Sequence, residues 1–312
     1  VRRFLIIATA AALVGTAWSW YSYTYEGEFS GGLSTPVGAA LSPDRELYVA
    51  DQGNNCIKRF TSAGSLINSI GGNVLSYPMG VDVTGAGYVY VPDKGNNRIV
   101  VFTKAGSLVS SWGTEGTGPG QFNQPWGVRV APNHWVYVAD TMNHRIQYFT
   151  STGSFLGSWG KTGGEPGEFN QPAKVVIKSD MKVYVSDFMN CRVQYFTSTG
   201  TLLGSFGDIG QGQGQFQGTA EADFDPEGNI FVGDLLNHRV QCFTSTGSFR
   251  CSFGTGPGSG NGEFNRVCGV AVWPTGARVY VVDHLNNRVQ YFNRFEAAVV
   301  PSSLGKVKAL FR

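Results

Sequence analysis

One pattern governs this chain: Val-Tyr-Val-x-Asp, followed at a fixed distance by Asn-x-Arg and then Phe, recurs six times, with Leu47 and Cys56 replacing its first Val and its Arg in the first copy and Ile230-Phe231 replacing Val-Tyr in the fifth. The first copy reads Leu47-Tyr-Val-Ala-Asp51 with Asn54-Asn55 and Phe60. The third reads Val136-Tyr-Val-Ala-Asp140 with Asn143-His144-Arg145 and Phe149. The strand-end aspartates Asp51, Asp93, Asp140, Asp187, Asp234 and Asp283 are 42, 47, 47, 47 and 49 residues apart. A period of this size holding several strand signals is that of propeller blades. Each unit carries four such signals: an inner strand such as Pro125–Val130, the Val-Tyr-Val-x-Asp strand, an Arg-Ile-Gln-Tyr-Phe strand, and an outer strand after a Thr-Ser-Thr-Gly turn. The alternation and the Gly-marked turns are those of antiparallel hairpins. The predicted fold is all-β: a six-bladed β-propeller of four-stranded antiparallel blades.

Asn143-His144-Arg145-Ile146 and its five cognates resemble the core of the NHL repeat over about residues 26–292. The resemblance is specific for fold and weak for function. Similar propellers serve as protein-binding modules, RNA-binding domains, extracellular sensors and, in one branch, a metal-dependent peptide-amidating lyase. That branch implies several metal-binding His with catalytic Tyr and Arg around the central channel, a constellation not placed here among four His.

The sixth unit lacks the Thr-Ser-x-Gly turn and reads Asn293-Arg-Phe-Glu296 instead, so its outer strand must come from elsewhere. Tyr21-Ser-Tyr-Thr-Tyr25 alternates at period 2, and Gly27-Glu-Phe29 follows it as Gly167-Glu-Phe169 follows the third unit. The N-terminal strand is therefore expected to close the ring, with Ala297–Val300 as the alternative for the same slot. The propeller then spans 18–300, with a basic tail at 301–312. Residues 1–17 open on Arg2-Arg3, run uncharged from Phe4 to Ala17 and end Gly15-Thr16-Ala17. This reads as a secretory signal, a retained hydrophobic anchor or an assembly arm, and places the protein outside the cytoplasm, extracellular or at the cell surface.

Composition narrows the function. Charged residues are 15% of 312 and the net charge is +2, which argues against a polybasic nucleic-acid binder. Any membrane contact would run through residues 1–17. No Ser-His-Asp constellation, P-loop or H-E-x-x-H motif appears, and neither a cofactor nor a metal site is expected. The repeated aspartates and Arg98, Arg145, Arg192, Arg239 and Arg288 read as structural, since a site made once does not recur six times. The first unit has Cys56 in place of the Arg, so Asp51 needs another partner. His144 and His238 read as repeat residues. Just after the aspartates, Gly53 and Gly95 give way to Met142, Met189, Leu236 and Leu285, and the preceding position adds Phe188 and Leu235. These residues are a candidate protein-contact face, with folding back over the blade tops as the alternative.

Five cysteines leave at least one unpaired. Cys242 and Cys251 align with Tyr148 and Gly157 of the third unit, and with Tyr195 and Gly204 of the fourth. A large residue opposite Gly suggests a cross-strand pair, and Cys at both positions suggests a disulfide; two free thiols are the other reading. Pairing of Cys56, Cys191 and Cys268 stays open. The expected function is a non-catalytic interaction or self-assembly module, oligomeric or fibrous. The rivals are an extracytoplasmic lyase- or hydrolase-like enzyme and a small-ligand sensor, each with its site at the central channel.

Overall fold

A computed structural model describes residues 21–296, which form six four-stranded antiparallel sheets. The expectations for residues 1–17, 297–300 and 301–312 fall outside that range. Blade one comprises Pro36–Leu41, Leu47–Asp51, Cys56–Phe60 and Leu66–Ile70 from axis to rim. The next four blades repeat this meander, ending on the outer strands Leu108–Trp112, Phe155–Trp159, Leu202–Phe206 and Phe249–Phe253. Each inner strand packs on the inner strands of both neighbours, and that of blade six packs on that of blade one, so the ring is closed.

Blade six takes Val267–Val272, Arg278–Asp283 and Arg288–Glu296 from the C-terminal end and Tyr21–Phe29 from the N-terminal end. Tyr23 pairs with Arg294 and Tyr25 with Phe292, so the two chain ends close one sheet. Tyr23 is buried, its ring 5.4 Å from Phe231 and 5.1 Å from Phe253 of blade five. This hydrophobic contact between sheets adds to the hydrogen-bonded seam within one.

The Gly-x-Phe segments Gly120–Phe122, Gly167–Phe169, Gly214–Phe216 and Gly262–Phe264 supply wedges between blades. Phe122, Phe169, Phe216 and Phe264 are fully buried, and each meets the third-strand Phe of the next blade at 5.6 to 5.7 Å. Second-strand tyrosines strap neighbours at the rim. The hydroxyls of Tyr137, Tyr184 and Tyr280 donate to the carbonyls of Ser198, Ser245 and Ser62, each in the outer turn of the following blade. Blade five has Phe231 at this position. Its follower, blade six, has no such turn to receive a hydroxyl.

Candidate functional site

The strand-end aspartates are fully buried and structural. Asp140 Oδ1 accepts the Asn123 N–H at 2.7 Å, while Oδ2 accepts from Asn143 Nδ2 at 2.9 Å, Arg145 Nε at 2.7 Å and Gln147 Nε2 at 3.0 Å. Burial pushes the Asp140 and Asp187 carboxyls up, and these hydrogen bonds and the paired Arg pull them back. Arg98, Arg192, Arg239 and Arg288 make the same bond to Asp93, Asp187, Asp234 and Asp283. In blade one the partner that Asp51 needs is Lys58, at 3.1 Å. Lys58 stands two residues beyond Cys56, where blades three to six have Gln, so the compensating residue lay off the expected position.

The residue before each Arg, and before Cys56 in blade one, closes the turn in the left-handed region, with φ between 52° and 54° at Asn55, Asn97, His144, Cys191, His238 and Asn287. Its side chain crosses to the next blade. Asn97 Oδ1 accepts the Gln124 N–H at 2.7 Å, and His144 Nδ1 accepts the Gln171 N–H at 3.1 Å. His238 Nδ1 accepts the Arg266 N–H at 3.2 Å, and Cys191 Sγ the Gly218 N–H at 3.4 Å. These histidines are inter-blade acceptors. Their repeat role was legible in the sequence but this bond was not, because the donor N–H lies 27 or 28 residues away.

Two layers fill the axis. The first is an apolar cluster of Val37, Met79, Ala220, Leu235 and Cys268, with Trp126 and Phe188 packed against it. It draws on all six blades, which only residues at the ring axis can do. Phe188 packs against Trp126 with the rings tilted by 45° and their centroids 5.6 Å apart. The second layer is charged. Lys174 Nζ lies 2.6 Å from Glu221 Oε2, and both side chains are buried. Arg129 pairs with Asp82 at 3.3 Å. Asp82 also accepts the Val130 N–H at 2.7 Å, and Asp223 the Val272 N–H at 2.9 Å. Burial pushes the Glu221 and Asp223 carboxyls up, with Lys174 and Arg129 respectively opposing it. Glu221 Oε1 is buried without a hydrogen-bond partner.

The equivalent position is Gly38, Gly80 and Gly127 in the first three blades. A Cβ on Gly38 would fall 2.7 Å from the Met79 carbonyl and 3.3 Å from Glu221 Oε1. Bare inner strands on one side thus leave room for Lys174 and Glu221 to cross from the other. A sixfold alignment carries this signal, as the Gly run breaks to Lys and Glu in adjacent repeats. Among the described residues, no three or more His, Cys, Asp or Glu side chains gather as a metal-binding group.

The candidate contact residues separate into two rings on the face that carries the turns after the aspartates. Leu235 is 8% exposed and Phe188 half-buried, both turned into the axial cluster. Met142, Met189, Leu236 and Leu285 are 38, 52, 48 and 41% exposed. Blades one and two have Gly53 and Gly95 here, where a Cβ would lie 2.4 Å from the hydroxyls of Ser34 and Ser76. The result is an apolar crescent over blades three to six. All five cysteines carry free thiols, with Cys242 and Cys251 directly opposed across strands.

The NHL repeat family model matches residues 33–60 and 122–149, the aspartate–asparagine cores of the first and third blades. The chain is an NHL-repeat propeller. Among solved structures it is similar to a streptogramin B lyase, at 15% identity over 90% of this chain and 100% of that one, with a TM-score of 0.61. It is also similar to a catalytically inactive virginiamycin B lyase from Staphylococcus aureus with quinupristin (13%, 88% and 99%, TM-score 0.60). A Bacteroides thetaiotaomicron protein of unknown function superposes at a TM-score of 0.68, with 14% identity over 88% of this chain and 76% of that one. Identities this low show the shared fold alone. No curated protein matches by sequence.

Proposed function

We propose that this NHL-repeat propeller is a non-catalytic, self-associating interaction module that docks through the apolar crescent. The exposed row Met142, Met189, Leu236 and Leu285, confined to blades three to six, carries this reading. An apolar surface laid over adjacent blades gains by being covered. The outer strands, a separate surface at the rim, favour self-association as well. Those of blades one to four contain no charged residue, and Leu66, Leu108 and Leu156 are exposed on them. Edge strands without charges lack the usual guard against pairing with another chain. The Arg2-Arg3 and Phe4–Ala17 pattern supports an extracytoplasmic setting.

Sedimentation velocity over a concentration series tests the reading. The parent should associate, and Met189→Ser with Leu236→Ser should shift it to monomer without lowering its melting temperature. A parent that stays monomeric throughout, or a variant that associates equally, contradicts it.

A second reading places a small-ligand or lyase-like site at the axis. The fold-level likeness to two lyases and the unpartnered Glu221 oxygen favour it.

A further inference from the structure

Cys242 and Cys251 stand apart from the other cysteines. Cys56, Cys191 and Cys268 are buried in three different blades. Cys242 and Cys251 share one hairpin and are register partners. Their position has a shared logic in blades three, four and six. Tyr148 faces Gly157, Tyr195 faces Gly204, and Tyr291 faces Gly27 across the closing seam. In each case the phenol oxygen lies 2.4 Å from where a Cβ on the glycine would sit, so the ring covers the bare backbone. A Cys in place of the Tyr alone would uncover the glycine; a Cys in place of the Gly alone would strike the ring. Blade five changes both members, and the opposed pair brings two sulfurs together.

We propose that Cys242 and Cys251 are an oxidisable dithiol that closes to an intrablade disulfide, a covalent modification site under the strand that seals the ring. Directly opposed strand residues have Cα atoms about 4.5 to 5.5 Å apart, within the span a disulfide takes. Cys251 is half-buried and Cys242 fully so, which makes Cys251 the point of entry. The Cys251 thiolate attacks a small-molecule disulfide and releases one small thiol. Cys242, its proton gone, then displaces the second small thiol and forms the Cys242–Cys251 bond. Two protein thiols lose two hydrogens, and one small disulfide gains them. The pair packs with Tyr23 of the closing strand in one buried cluster. The neighbouring thiol and burial together hold the Cys242 proton firmly, as expected of the second rather than the first sulfur to react.

The test uses the full chain, purified reduced and then incubated folded with oxidised glutathione. Expected are a mass loss of two hydrogens, a non-reduced peptide joining the segments of Cys242 and Cys251, and a melting temperature raised by roughly 5 °C. Cys251→Ser and, independently, Cys242→Ser should abolish the linked peptide. Full alkylation of both thiols after treatment overturns the proposal. So does a link to any other cysteine, or a bond that forms only above the melting temperature.

Discussion

At the residue scale, single side chains carry contacts between blades, and their loss is measurable. His144→Ala leaves the Gln171 N–H without its acceptor and should cost about 1–3 kcal/mol. His144→Asn should recover most of it, since Asn97 makes the equivalent bond at 2.7 Å. Urea denaturation midpoints of the three proteins check this. Lys58→Met removes the charged partner of the fully buried Asp51 and should cost about 3–5 kcal/mol. A melting temperature equal to the parent's would assign Asp51 to its Asn54 and Ser34 hydrogen bonds alone. The repeat made the Asp–Arg pair legible from spacing, because both partners lie five residues apart. Lys58 was not legible, because it replaces the Arg from another position on the strand.

At the scale of elements, the closing strand and the axial ion pair make opposite demands. Removing residues 18–29 strips the outer strand from blade six and exposes Phe231 and Phe253, which Tyr23 covers. The loss should be at least about 5 kcal/mol, and calorimetry of the truncated chain reads it. The missing turn at Asn293 revealed this strand in the sequence, since the first five units each carry an outer strand after such a turn and the sixth does not. Lys174 and Glu221 were missed because their contact crosses repeats. Lys174→Met alone strands the buried Glu221 carboxylate and should cost about 3–5 kcal/mol, while adding Glu221→Leu should return most of it. The pair also sets a pH signature. Burial raises the Glu221 carboxyl above its unfolded value, with Lys174 opposing and Asp223 and Asp82 adding to the rise. The folded state therefore holds that proton more tightly. The favourable contribution is full below the unfolded value and is lost as pH rises through the folded one. Relative to the double variant, the parent should gain stability as pH falls from neutral toward the ordinary glutamate range. A difference that is flat over this range would show that Glu221 does not titrate there.

At the scale of the whole molecule, the six repeats fix a ring whose axis is filled by the apolar cluster and the charged layer. This leaves the crescent over blades three to six as its distinctive surface. The fold was readable because every blade repeats the same local rules. The divided roles of Phe188 and Met189 were not, because which of two adjacent turn residues faces the axis depends on the curvature of the closed ring. Hydrogen–deuterium exchange at low and high protein concentration tests the proposed role most directly. Slower exchange on concentrating the protein is expected in the turns Thr141–Asn143, Phe188–Asn190 and His284–Asn286 and around Leu236, while the turns Gln52–Asn54 and Lys94–Asn96 stay unchanged. Equal exchange at both concentrations, or protection confined to blades one and two, would contradict it.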